Sequence, residues 1–288
     1  MRKRDSQQQP GEGKVVSQIY PTLRLEIAKE YDQTAIKFLV NGMRLYPSTF
    51  AEKQKTHFLH PEIYTSGLPT PIQDVYTLCR LQSQTQMDKS NRDVRLMFQH
   101  KFLEFKRLFV KSPTFEELLG CSQALILLQC FLSLDEDSHI EYSDSLGTIL
   151  EQIAERLWEQ APIQLSSTLS PRHAWLLAES VRRTIIVSLM LRSAYSLKTR
   201  NYSVRTPFID ALPFDIRMHL WDDDYGSTWP DQESDSSGSM ISLHGYSDAM
   251  ENGHVHDITP FGALILAACK GKRVSAVPFP PTQSYITH

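Results

Sequence analysis

Cysteine is scarce and scattered in this chain. The four residues, Cys79, Cys121, Cys130 and Cys269, include no CxxC or CxxxxC pair. That spacing gives no footing for a zinc cluster or a disulfide framework; three of the four fall in apolar helical patterns, so buried free thiols are expected. An excess of basic charge is also lacking. Lys and Arg total 30 against 33 Asp and Glu, a formal charge of −3, which argues against binding nucleic acid through bulk charge. No G-x-S-x-G, P-loop or dinucleotide glycine pattern occurs, so the common catalytic and phosphate-binding motifs are missing. The first residues, MRKRDSQQQPGEG, are basic and then polar with no apolar h-region. A secretory signal is therefore not expected, and a reducing compartment, cytosol or nucleus, is. No convincing strand pattern of period two is found either.

Helical periodicity is what the chain has in quantity, and it is densest over residues 170–197, SPRHAWLLAESVRRTIIVSLMLRSAYSL. Ser170 followed by Pro171 is a strong helix start, because the hydroxyl can accept an orphan N–H and proline loses no bond at the first position. No further proline or glycine interrupts before Leu197. At ~1.5 Å per residue this makes a rod of roughly 40 Å, about the width of a domain. Ile185 to Leu191 is apolar on nearly every side, as in a helix surrounded by other helices. Arg182, Arg183 and Arg192 flank that run too closely for a membrane span. Glu179 lies at i,i+3 and i,i+4 from Arg182 and Arg183, so its carboxylate can hold either guanidinium.

The other elements assemble around this helix, and the expected fold is all-α. Residues 1–18 are polar and expected to be disordered, with Arg2-Lys3-Arg4 a bare solvated cluster. Residues 19–275 form the expected helical domain, and residues 276–288, with Pro278, Pro280 and Pro281, an extended tail. Leu23 to Leu45 has helical character, with Tyr31, Ala35, Phe38 and Leu39 near one face, and Pro47 ends it. Phe58 to Pro71 reads as an extended, proline-studded connector. Ile72 to Gln84 places Val75, Leu78, Cys79 and Leu81 on adjoining faces. Asn91 caps a helix to about Lys111, with Val94, Met97, Phe98, Phe102, Phe105 and Phe109 inward. Thr114 and Glu117 form a capping box opening a helix to about Leu134. Asp144 to Gln160 is amphipathic, Asn201 to Pro213 reads as a loop, and residues 222–242 as an exposed acidic loop. Thr259 to Ala268 is a last helix, stopped by Gly271.

Several of these segments together resemble the regulatory region that follows the zinc binuclear cluster in fungal transcription factors. Trp175-Leu-Leu-Ala178-Glu179-Ser180-Val-Arg182-Arg183-Thr184 looks like that family's W-x-x-A-E-S-x-R-R-T helix. Leu212-Pro213-Phe214 leading to Leu220-Trp221 is similar to its LP…LW element, and Phe261 to Gly271 to its terminal helix. Phe58-Leu59-His60-Pro61 with Pro71-Ile72-Gln73-Asp74 resembles the opening of the region in regulators of secondary-metabolite clusters. The resemblance covers roughly residues 50 to 275 and implies a nuclear protein that controls transcription of a pathway. The family's DNA-reading module holds two zincs on six cysteines, and nothing of that kind is present here. Either the chain is a shortened product, or it works through protein partners: a DNA-binding transcription factor, or itself as a homodimer. Direct specific DNA binding, a cofactor, a metal and a membrane contact are not expected.

Two other readings belong to different classes. Trp221-Asp222-Asp223-Asp224-Tyr225 resembles the aspartate-rich magnesium motif of helical terpene synthases, and a hard cation does favour clustered carboxylates. The position for a further ligand is Gly226, however, and a solvated acidic loop is the simpler reading. His254-Val255-His256 with His244 would offer two metal ligands only on an extended strand. His173 has no visible partner and reads as a surface histidine. The third reading is a module whose helical pocket senses a pathway metabolite. The residues singled out as structural or regulatory are Trp175, Glu179, Arg182, Arg183 and Trp221. For Glu179, Arg182 and Arg183 an ion pair between neighbouring helices competes with binding of an acidic effector. For Phe98, Phe102, Phe105 and Phe109 a core face competes with a groove for a partner helix.

Overall fold

Two long helices hold the molecule together, and their sequences explain why. The computed structural model describes residues 27–84, 90–111, 114–134, 143–162, 169–205, 207–222, 239–255, 258–273 and 275. Helices α1 (Gln33–Arg44), α2 (Tyr46–Lys53), α3 (Thr70–Gln84) and α4 (Ser90–Lys111) lead to α5 (Phe115–Leu134), which is followed by α6 (Ser143–Gln160) and α7 (Pro171–Arg200). The short α8 (Pro207–Ala211) and α9 (His219–Asp222) precede α10 (Leu243–Glu251) and α11 (Pro260–Lys270). The fold is all-α, as expected. Helix α5 is long and apolar enough to cross a membrane, but 89% of its apolar window is buried inside the fold. It packs against α1, α2, α3, α4, α6 and α7, so its apolar surface faces other helices all round.

Local chemistry sets the ends of these helices. The Ser170 hydroxyl accepts from the His173 N–H at 3.2 Å, and Asn201 closes α7 in the left-handed region at φ 59°. Thr114 and Glu117 form the reciprocal capping box at the start of α5, with Glu117 N–H 3.2 Å from the Thr114 hydroxyl. Thr259 caps α11, and Gly271 ends it at φ 65°, a backbone that a side chain would strain. All four cysteines are free and buried. Burial pushes the Cys79 and Cys121 thiols up to about 12, away from reactive thiolate.

Several expectations are corrected. Two small antiparallel sheets are present: β1 (Ile27–Glu30) with β2 (Tyr202–Arg205), and β3 (Pro213–Asp215) with β4 (Met240–Ser242). Residues 202–205 and 207–211, read as loop, are thus a strand and a helix. Pro47 lies in the first turn of α2, so it opens a helix as well as following one. The connector after Phe58 includes a single 3₁₀ turn, Pro61–Ile63, and buries Phe58, Leu59 and His60. Met97, expected inside, is 46% exposed, and Leu81, placed on a face adjoining Val75 and Leu78, is 38% exposed. Trp221 belongs to α9 and is buried at 1% exposure, while Ser239 is buried and β4 begins one residue later. Residues 1–18, 223–238 and 276–288, and the acidic stretch Asp135 to Ser138, lie outside the described residues.

Candidate functional site

The residues that carry the motif of α7 converge on one buried junction. One turn of helix separates Glu179 from Arg183, so both side chains leave the same face. The Glu179 carboxylate, at 0% exposure, accepts from Arg182 Nη1 at 2.9 Å and from Arg183 Nε at 2.8 Å. It therefore holds both guanidinium groups rather than either one. The ion pair lies within one helix, not between neighbouring helices as expected. Glu179 also accepts from the backbone N–H of Asp215, 3.3 Å from Oε2, which fastens β3 onto α7.

Arg183 is almost fully buried, and aromatic faces replace the water around it. Its guanidinium carbon lies 4.4 Å from the Trp221 ring centroid and 5.0 Å from that of Phe261. Arg183 Nη1 reaches the His57 carbonyl at 3.5 Å, a long bond, and Nη2 has no hydrogen-bond partner among the described residues. Trp221 is anchored in turn, donating its indole N–H to the Thr56 carbonyl at 2.8 Å. Thr184 and Gln123 extend the junction. Gln123 Nε2 donates to the Phe58 carbonyl at 2.9 Å and to the Thr184 hydroxyl at 3.2 Å, while the Tyr64 hydroxyl donates to Gln123 Oε1 at 2.7 Å.

Asp215 is the residue that sequence reasoning missed. Its carboxylate accepts from the Trp175 indole at 2.8 Å, from Arg217 Nη2 at 2.6 Å and from the Ser239 hydroxyl at 3.2 Å. Burial pushes the Asp215 carboxyl up, but the hydrogen bonds from Arg217 and Trp175 outweigh it and hold it below the usual range. The available signal was its place directly after Leu212-Pro213-Phe214, a polar residue ending an apolar strand.

Each of the five residues singled out thus has a place. Trp175, Glu179, Arg182 and Arg183 line one side of α7, and Trp221 closes over Arg183. The arrangement is a fastening that ties α7 to residues 56–60 and to β3. Its two carboxylates, Glu179 and Asp215, are both engaged by donors, and two histidines border it. His57 and His60 stand closest. Burial lowers both to about 4, assisted by Arg183 and Lys53 for His57 and by Lys55 for His60. Both are therefore neutral at pH 7.

The remaining candidates are dispersed. Phe98, Phe102, Phe105 and Phe109 are all buried in the core and line no groove. His173 sits half-buried on the first turn of α7. Asp222 and His254 are exposed, and His244 pairs with Asp248 at 3.0 Å. Asp223, Asp224 and His256 lie outside the described residues. Among the described residues no group of three or more His, Cys, Asp or Glu side chains is placed to hold a metal ion.

A comparison with known proteins gives a relative. The chain is similar to transcription factor gsfR2 of Penicillium aethiopicum, 25% identical over 264 residues that cover 83% of this chain and 60% of that protein. It thus spans 60% of the length of the relative, under two thirds. No family model matches the chain, and no solved structure matches it.

Proposed function

We propose that this chain is the regulatory module of a fungal transcription regulator, acting in the nucleus on a secondary-metabolite pathway through protein partners. The observation that carries the reading is the similarity to a fungal transcription factor across 83% of the chain. The buried junction on α7 supports it, because the residues of the recurring helix motif are the ones that fasten the domain. A fold held this way presents surfaces rather than chemistry.

The surface best suited to a partner is the outer face of α4. Leu96, Leu103 and Val110, spaced seven residues apart, are 54%, 47% and 67% exposed. The same face carries exposed Arg92, Arg107 and Lys111. An amphipathic partner helix with an apolar stripe and acidic borders fits that pattern.

Promoter DNA titrated with the purified chain tests the reading together with a reporter driven by the chain fused to a foreign DNA-binding domain. Three phosphate contacts from the N-terminal basic cluster would give a salt slope of roughly −2.7 and weak, non-specific binding. Specific factors reach ~10⁻⁸–10⁻¹¹ M. The expected result is no competitor-resistant binding by the chain alone. The fusion changes reporter output, and a Leu103→Glu variant with unaltered melting loses that effect. Nanomolar specific binding by the chain alone overturns the partner-dependent reading, and a silent fusion overturns the regulatory one.

A further inference from the structure

A cavity of about 860 Å³ opens where α1, α2 and α11 meet, with Thr56 and His57 among its lining residues. Its walls include Phe38, Leu45, Ile258, Ala263 and Leu264, which make most of the lining apolar. Leu45 is 60% exposed, so this apolar surface is open to solvent. Among the described lining residues three are cations, Lys53, Lys55 and Arg273, and one is a carboxylate, Asp222. Lys53 and Arg273 are exposed, and among the described residues neither makes an ion pair. The Arg273 guanidinium lies 5.8 Å from the Phe38 ring centroid, where it borders the apolar wall. Thr259 and Pro260, at the start of α11, also face the cavity, so the positive end of that helix adds to the same potential.

From this juxtaposition of an apolar cavity with three cations we propose that the cleft binds an amphipathic organic anion: a flat, aromatic or polycyclic body carrying one carboxylate or similar acidic group. The size falls within the range of small-molecule sites, which are mostly apolar with a few placed polar groups that set orientation. The apolar body lies against Phe38, Ala263 and Leu264, and the anion meets Lys53 and Arg273. A neutral body of the same shape gains only the first contact, and a small hydrophilic anion only the second. The site also touches the fold's fastening. The carbonyl of its wall residue Thr56 accepts from the Trp221 indole, and the ring of its wall residue His57 lies tilted 5.3 Å from that of Phe261, which in turn faces Arg183. The cleft stands whether or not the chain regulates transcription.

The test uses two fluorescent probes with the same ring system, anilinonaphthalene sulfonate and the uncharged phenylnaphthylamine, titrated into the full-length chain. The expected result is saturable binding of the sulfonate at one site per chain. Because Lys53 and Arg273 are exposed and make no ion pair among the described residues, a Lys53→Gln/Arg273→Gln variant keeps the melting temperature. It weakens the sulfonate roughly fivefold to tenfold, more at low salt than at high, and leaves the neutral probe unchanged. Filling the cavity with Ala263→Phe weakens both probes; should that variant fail to fold, the charge variant alone still decides. Absence of saturable sulfonate binding, or equal binding to wild type and the charge variant, overturns the proposal.

Discussion

Helices α5 and α7 occupy the same core and are built on opposite principles. Over 118–130, α5 is buried at every residue, and apart from Ser122, Gln123 and Gln129 the packed side chains are uncharged and largely apolar. Gln123 aside, which joins the buried junction through Phe58, Thr184 and Tyr64, its position is fixed by shape, and shape can be met by many side-chain combinations. In α7 the apolar run Ile185 to Leu191 does the same work, but one turn earlier the helix buries Glu179, Ser180, Arg183 and Thr184. Those groups accept only partners of the right charge and direction. The core thus joins a tolerant helix to one whose register is dictated by named contacts. That difference explains why the part of α7 that is recognisable in sequence is its charged turn rather than its apolar centre.

The largest effect expected from breaking this arrangement is common to both helices. Leu189→Asp places an unpaired charge in the packed layer of α7, at a cost of several kcal/mol against a typical total of ~5–15 kcal/mol. Cooperative melting should vanish, as judged by circular dichroism, and a soluble, sharply melting variant would contradict the buried placement.

A pair of substitutions separates the two helices more sharply. Glu179→Ala leaves the Arg183 guanidinium buried without its counter-charge and should destabilise by roughly 3–5 kcal/mol. The volume-conserving Leu127→Met in α5 should cost under ~1.5 kcal/mol. Urea denaturation measures both, and similar losses would remove the distinction drawn between the helices.

The segment gripped by α7 has its own signature with pH. His57 and His60 fall from 6.5 to about 4 in the fold. The unfolded chain therefore takes up protons that the folded chain refuses. Their contribution is fully present above pH 6.5 and is lost as pH falls toward 4. Each shift corresponds to on the order of 3 kcal/mol. Replacing both histidines with glutamine should flatten stability between pH 6.5 and 4, read from melting temperatures across that range. An unchanged slope would place the acid sensitivity elsewhere.

The smallest effects test where the helices are alike. Thr114→Ala at the start of α5 and Ser170→Ala at the start of α7 each remove a cap worth about 1 kcal/mol. Chemical denaturation should give similar values for the two, because capping depends on the helix end and not on what the helix later buries.

Much of this was legible in the sequence because it rests on local signals. The Ser170-Pro171 start, the Thr114/Glu117 box and the Gly271 stop are each written within four residues, and the structure has all three. The i,i+3 and i,i+4 placement of Glu179, Arg182 and Arg183 was legible for the same reason. What escaped was short or distant. Strands of three or four residues, such as Pro213–Asp215, show too few alternations for a period of two to emerge. Asp215 meets Trp175 across 40 residues of chain, and no local pattern signals that pairing. Helix α10 was missed because Gly245 and polar residues dilute its apolar face, although Ser242 caps it. Leu81 and Met97 fit helical periodicity and still face outward, since periodicity places a face but not its edges.

The central claim is that the charged turn of α7 is a structural fastening in which Glu179 and Arg183 act as one unit. A double-mutant cycle measures that directly, using Glu179→Leu, Arg183→Met and the combination in equilibrium denaturation. Each single variant should lose stability by leaving its partner buried and uncompensated, whereas the double variant should recover much of the loss, giving a coupling of roughly 2 kcal/mol or more. Losses that simply add, within ~0.5 kcal/mol, would show two independent side chains and contradict the account.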